Sequence, residues 1–143
     1  MADRISKRDR SDLMSRIRSQ DTAPELVVRS CVHRLGYRFR LHDRRLPGSP
    51  DLVLPRLSSI VFVHGCFWHR HAGCRLSYQP KSRVRFWSDK FEANVARDRR
   101  VVTALRRAGW RVLIVWECQT RDEQRLTERL ARLLGKSDSA RPD

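Results

Sequence analysis

No stretch of this chain approaches the roughly 20 apolar residues that a membrane-spanning helix needs. The opening segment, from Met1 to Asp12, has no apolar core of the kind a secretory signal carries, so the chain is expected inside the cell. No internal repeat and no long low-complexity run is present. Acidic residues are scarce: 16 Asp and Glu face 31 Lys and Arg, a formal charge of +15. Self-repulsion of that size is costly on a small domain, and a polyanionic partner, most simply nucleic acid, offsets it. A membrane surface is also anionic, but no segment reads as a basic amphipathic anchor. Cysteine is sparse as well, at Cys31, Cys66, Cys74 and Cys118. In a reducing compartment that argues against disulfides and favours metal binding where the spacing permits.

What is present suits a single domain over residues 1–143, with residues 1–10 as a basic N-terminal arm and 135–143 as a loose, disordered tail. A short helix is expected over Ser11–Ser19, burying Leu13, Met14 and Ile17. Thr22-Ala-Pro-Glu25 then has the form of a helix start, with Thr22 as cap and Glu25 three residues on. Val28, Cys31, Val32 and Leu35 follow on one helical face, which makes Cys31 a core residue rather than a ligand, and Gly36 is the stop. Tyr37–Leu41 alternates like a half-buried strand, Leu46-Pro-Gly-Ser-Pro50 reads as a turn, and Asp51–Leu54 and Ile60–Val63 read as buried strands joined as a hairpin. Phe86–Ala108 is a long helix whose stripe runs Phe91, Val95, Asp98, Val102, Leu105. After Gly109 come the apolar strand Trp110–Trp116, a second capping pattern Thr120-Arg-Asp-Glu123, and a final helix with Leu126, Leu130 and Leu133 on its apolar face. The fold class is therefore α/β, a mixed sheet with helices on its faces.

Five constellations carry chemistry. Cys66-x4-His71-x2-Cys74, with Cys118 just past the last strand, supplies three thiolates and an imidazole, a closed structural zinc set. Asp51 opens a buried strand, where metal-dependent nucleases hold magnesium against a phosphate, although a Pro-Asp pair is equally at home in a turn. His64 and His69 bracket Cys66-Phe67-Trp68. Either is a candidate general base or an ordinary surface residue. Asp98 is the one charged residue on its stripe and must be paired or coordinated. Arg97, Arg99 and Arg100 offer a local ion pair, and a histidine at an active site offers a functional one. Finally, Phe67, Trp68, Phe86 and Trp87 sit among Arg and Lys, where aromatics either anchor packing or wedge between base pairs.

Taken together these residues resemble the very-short-patch-repair (Vsr) endonuclease family. The resemblance runs over residues 8–134 and is carried above all by His64-Gly-Cys-Phe-Trp-His69 joined to Trp116-Glu-Cys118, with Leu46-Pro-Gly-Ser-Pro-Asp51 and Thr22-Ala-Pro-Glu25 beside them. It implies a restriction-endonuclease-like fold of the PD-(D/E)xK type with one structural zinc and catalytic magnesium. It further implies nicking of one strand of double-stranded DNA 5′ to the mispaired T of a T:G mismatch, the lesion left when 5-methylcytosine deaminates. Carried onto this sequence, Asp51 binds magnesium, His69 is the base, Asp98 supports His69, and Glu25 and His64 line the site. Cys66, His71, Cys74 and Cys118 hold zinc, and Phe67, Trp68 and Trp87 form the intercalating wedge. The wider superfamily carries a second acid and a lysine on the strand after the Pro-Asp strand. Here those places read Val63-His64-Gly65, so the second magnesium contact is expected from the Val63 backbone carbonyl. A bacterial cytoplasmic enzyme acting at the nucleoid follows, and a nicking enzyme needs one active site, so a monomer is expected. Two other functions fit less of the sequence: a nuclease of this fold serving restriction or a mobile element without mismatch preference, and a zinc-dependent DNA-binding module without catalysis. Acidic groups in a phosphate-binding groove argue against the module unless a metal lies between.

Overall fold

Thr22 caps the first helix of the structure, a computed structural model that describes residues 22–140, with side chains described through residue 135. Its side chain accepts from the Glu25 N–H, and Pro24 occupies the first turn, where a missing N–H costs nothing. This helix, α1, spans Ala23–Arg34 and ends ahead of Gly36, whose φ of 88° suits only glycine at low cost. The helix expected over Ser11–Ser19 lies outside the described residues.

Four strands form one sheet in the order β1-β2-β3-β4: β1 Arg40–Leu41, β2 Leu52–Leu54, β3 Ser59–His64 and β4 Arg111–Trp116. The first two pairings are antiparallel and the third is parallel. A parallel neighbour needs a crossover, supplied by α2, Val84–Arg107. The last helix, α3, spans Glu123–Ala140, so its backbone continues into the segment 135–143.

Alternation along the strands sorts the core into two layers. Leu52, Leu54, Val61 and Val115 face α1 and α3, meeting Val28, Cys31, Val32, Leu126, Leu130 and Leu134. Val53, Ile60 and Phe62 face α2 and meet Leu105 and Val101. Each fully buried Leu, Ile or Val of these layers contributes about 1.5–3 kcal/mol over its exposed state.

Three expectations change. The strand over Tyr37–Leu41 reduces to Arg40–Leu41, because Tyr37 and Phe39 pack on the core while Leu41 stays 42% exposed. The cap of α3 is Asp122, whose carboxylate accepts from the Arg125 N–H at 3.1 Å. Thr120 instead donates its hydroxyl to the Glu117 carbonyl within a short 3₁₀ turn, Glu117–Arg121. On α3 the buried stripe is Leu126, Leu130, Leu134 rather than Leu133, since a spacing of four keeps all three against the sheet.

Candidate active site and metal-ligating cluster

The turn before β2 aims Asp51. Gly48 has a φ of 76°, and a Cβ there would meet Val101 Cγ1 at 2.6 Å, so only glycine lets this turn lie flush on α2. The β2–β3 register pairs Leu52 with Val61 and Leu54 with Ser59, and continuing it sets Pro50 opposite Val63. Proline has no N–H to give, so the ladder stops there. That leaves the Val63 carbonyl without a ladder donor, while the Val63 N–H donates to Asp51 Oδ2 at 2.6 Å. A strand residue directs its N–H and carbonyl to the same edge, so the Val63 carbonyl faces the same gap. Burial drives the Asp51 carboxyl up to about 7, with Glu25 adding to the rise and the Val63 N–H, His69 and Arg29 opposing it.

Past the end of β3 the chain turns through residues 65–70 and delivers His69. The His69 N–H donates to the Gly65 carbonyl at 3.1 Å, and Asn94 of α2 donates to the Trp68 carbonyl at 3.1 Å, fixing the turn on the helix. His69 Nδ1 meets Asp98 Oδ2 at 2.6 Å. Asp98 thus takes an imidazole rather than any of its flanking arginines. His64 stacks on His69 with centroids 3.9 Å apart and is 95% buried, being 5% exposed. Burial, then the neighbouring His69, pulls His64 down to about 3, so it is neutral at physiological pH. Its Nδ1 has no hydrogen-bond partner among the described residues. Of the two histidines only His69 combines partial exposure with a carboxylate behind it, the arrangement of a general base.

These groups line one cleft of about 360 Å³, shared by Glu25, Asp51, Val63, His64, His69 and Asp98, with the exposed Arg97 at its wall. Glu25 enters from the first turn of α1 and carries two partners that sequence reasoning missed. Arg29 Nη2 lies 3.3 Å from Glu25 Oε2, and His42 Nε2 lies 3.4 Å from the same oxygen. Arg29 had a signal, four residues after Glu25 on one helix. Asn94 also had one, since it lies on the Phe91–Asp98 stripe. His42 had none, because only the β1–β2 pairing brings it to the site.

The second group forms where β3 and β4 end side by side. Cys66, His71, Cys74 and Cys118 place their donor atoms within 4.8 Å of one another, a set able to hold a metal ion. Trp116-Glu-Cys118 builds it from three sides: Trp116 stacks on His71 at 4.2 Å, Glu117 accepts from the Cys66 N–H at 3.3 Å, and the Cys118 N–H points at Cys66 Sγ at 3.4 Å. Burial raises the Cys66 thiol to about 12, while the Leu76 N–H lowers Cys74 by favouring its thiolate. Cys31 stays apart, fully buried under α1.

Phe67, Trp68 and Trp87 are half-buried and contact one another, closed beneath by the buried Phe91. Phe86 remains 43% exposed with Arg83 over its ring at 4.1 Å. This aromatic patch adjoins the cleft through the 65–70 turn.

A strongly basic domain with a cleft of carboxylates and imidazoles defines a class, the enzymes that hydrolyse nucleic acid. The comparisons with known proteins narrow it. A family model described as DNA mismatch endonuclease Vsr matches residues 2–75. The chain is 52% identical over 137 residues to a type II nicking enzyme, V.XorIIP, of Xanthomonas oryzae, covering 96% of this chain and 100% of that one. It is 45% identical over 128 residues to the DNA mismatch endonuclease Vsr of Escherichia coli, covering 90% and 81%. It is 40% identical over 134 residues to a type II nicking enzyme, V.NmeAIP, of Neisseria meningitidis, covering 94% and 95%. The chain belongs to the Vsr family and is a DNA endonuclease, which sets aside the non-catalytic module. Among the described residues no helix is long and apolar enough to cross a membrane.

Proposed function

We propose that this chain nicks one strand of double-stranded DNA 5′ to the mispaired T of a T:G mismatch, by magnesium-dependent hydrolysis, and so starts very short patch repair. The observation that carries the reading is the single cleft that joins Asp51 to the His69–Asp98 pair. Asp51 and the Val63 carbonyl would hold the magnesium. The fit rests on Asp51, a buried carboxylate whose raised pKa marks a place where added positive charge is favourable. Bound magnesium supplies charge to the scissile phosphate as it becomes more negative.

The protein's own groups do the rest. Asp98 commits His69 Nδ1–H, which leaves Nε2 as the basic nitrogen that takes a proton from the attacking water. Neutral His64 holds the face of His69. Glu25, paired with Arg29 at 3.3 Å, completes the acidic wall. Arg97 is a cation at the phosphate side.

Zinc is the reading for Cys66, His71, Cys74 and Cys118. Tetrahedral bonds of about 2.3 Å to sulfur and about 2.0–2.1 Å to nitrogen set neighbouring S and N atoms about 3.6 Å apart. His71 Nδ1 lies 3.6 Å from Cys66 Sγ and 3.5 Å from Cys118 Sγ, in support. A restriction-endonuclease-like fold, a monomeric single-domain enzyme of residues 1–143 and action at the bacterial nucleoid complete the reading. Phe67, Trp68 and Trp87 form the wedge, since unstacking is cheapest at a mispair. A second reading, nicking tied to restriction rather than to a mismatch, is favoured by the relatives named type II nicking enzymes.

The test of the mechanism is Asp51→Ala on a T:G duplex. It is expected to keep DNA affinity and lose nicking. Nicking at the wild-type rate would remove Asp51 from the chemistry.

A further inference from the structure

Glu25, His42 and Asp51 offer donor atoms within 4.8 Å of one another, spaced as a metal site would be. The neighbouring guanidinium assigns them differently. Arginine has only donors. Arg29 Nη2 lies 3.0 Å from His42 Nε2, nearer than Glu25 Oε2 at 3.4 Å, so the guanidinium N–H takes that nitrogen's lone pair and Glu25 reaches the ring through the arginine they share. With that lone pair on Nε2 the ring proton sits on Nδ1, the ring atom 3.9 Å from Asp51 Oδ1. A protonated Nδ1 donates and does not coordinate. Glu25 Oε2 holds Arg29 Nη2 at 3.3 Å and keeps the guanidinium in place.

We infer that His42 is a positioning residue for Asp51: it links Arg29 to the free oxygen of that carboxylate and sets how Asp51 meets a divalent cation. This rests on the reading of Asp51 as the metal-binding carboxylate.

The backbone points the same way. The β1–β2 register pairs Arg40 with Val53 and Leu41 with Leu52, so His42 is the next residue across from Asp51. The His42 N–H donates to the Asp51 carbonyl at 3.3 Å. His42 has a φ of 46°, which side chains seldom adopt and which the surroundings must impose. The three side chains are only 8%, 13% and 16% exposed for Glu25, His42 and Asp51. Asp51 Oδ2 is already taken by the Val63 N–H, so an N–H closing on Oδ1 would fix the plane of the carboxylate. The 3.9 Å separation is beyond hydrogen-bond range, and contacts of this type tighten as substrate and ions assemble.

The experiment titrates Mn²⁺ into the full chain by calorimetry, with His42→Phe, His42→Gln, Arg29→Gln and Asp51→Asn alongside the wild type. Loss of such a supporting partner weakens metal binding by about ten- to hundredfold. That loss is expected for His42→Phe. His42→Gln keeps one acceptor for Arg29 and one donor for Asp51, and is expected to restore affinity to within a few-fold. Should His42→Phe not fold, Arg29→Gln gives the second readout and is expected to weaken Mn²⁺ binding in the same direction. Wild-type affinity in His42→Phe or in Arg29→Gln, with binding lost in Asp51→Asn, overturns the inference alone. Wild-type affinity in Asp51→Asn overturns the reading of Asp51 beneath it. Pulsed EPR of the Mn²⁺ complex separates positioning from coordination: an imidazole-nitrogen coupling that His42→Gln abolishes would make His42 a ligand and overturn the inference too.

Discussion

His69 and His71 are two residues apart and serve opposite groups. His69 turns into the cleft and pairs with Asp98, while His71 turns away and joins three cysteines. The cysteine group draws four donors from the protein itself, which is how a site that holds shape is built. The cleft draws one buried carboxylate, one imidazole–carboxylate pair and a carbonyl, and leaves about 360 Å³ open, which is how a site that admits substrate is built. The 65–70 turn is common to both, so the closed group is expected to position the open one. The same residue types thus take different roles according to how many protein donors converge on one point.

The sharpest way to break this contrast is through Asp98. Asp98→Asn keeps size and removes the charge that fixes His69, so nicking is expected to fall by about 10²–10⁴-fold. DNA affinity and metal content are expected to hold, and gel-based nicking rates beside a binding assay check this. A fall below tenfold would take Asp98 out of the base's service.

Next in size is Cys118→Ser on the closed side. Loss of a structural metal ligand belongs to the changes that cost about 4 kcal/mol or more, which lowers Tm by roughly 10 °C or more for a domain of this size. Zinc measured by metal analysis should drop with Tm, and nicking should drop as His69 loses its turn. Full nicking in zinc-free protein would uncouple the two groups.

Trp87→Ala sharpens the comparison from the DNA side. Stacking of an aromatic on a base is worth about 1–3 kcal/mol, so selectivity for a T:G over a matched duplex is expected to fall by about tenfold, beside a drop in Tm from the lost ring contacts. An equal fall on both duplexes would make Trp87 a general DNA contact.

Smallest is a pH effect confined to the cleft. Asp51 sits near 7 in the metal-free protein, far above its ordinary 3.8, so the folded state binds the extra proton between those values. Its contribution to stability is present below about 4 and is lost as pH rises through 7. His64 has the opposite sign: pulled down to about 3, it favours the fold above its ordinary value near 6.5 and loses that as pH falls. Divalent-ion binding at pH 6 is therefore expected to release nearly one proton from Asp51, and almost none at pH 8.5. Calorimetry in two buffers of different ionisation enthalpy measures it, and equal release at both values would place the proton elsewhere.

Most of the frame was legible in the sequence because it rests on local periodicity. Thr22, Pro24 and Gly36 bound α1, and the Phe91–Leu105 stripe sets the face of α2. The four-donor group was legible because Cys and His are few and only one cysteine sits on an apolar stripe. What escaped depends on pairing between segments. The long expected strand shrank to Arg40–Leu41 because Tyr37 and Phe39 turn to the core, and that same turn puts His42 across from Asp51. The partner of Asp98 could not be chosen from spacing alone, where its flanking arginines and the distant His69 were equal candidates; the family resemblance pointed to His69, and the structure pairs the two at 2.6 Å.

The central claim is that the open cleft nicks beside a mispaired thymine, and it is tested most directly on two labelled duplexes with magnesium. One carries a central T:G pair and one is fully matched, in several CC(A/T)GG-like contexts. A nick 5′ to the mispaired T, with the matched duplex intact, is the predicted result. Equal nicking of both duplexes in every context would contradict it and leave the restriction-linked reading.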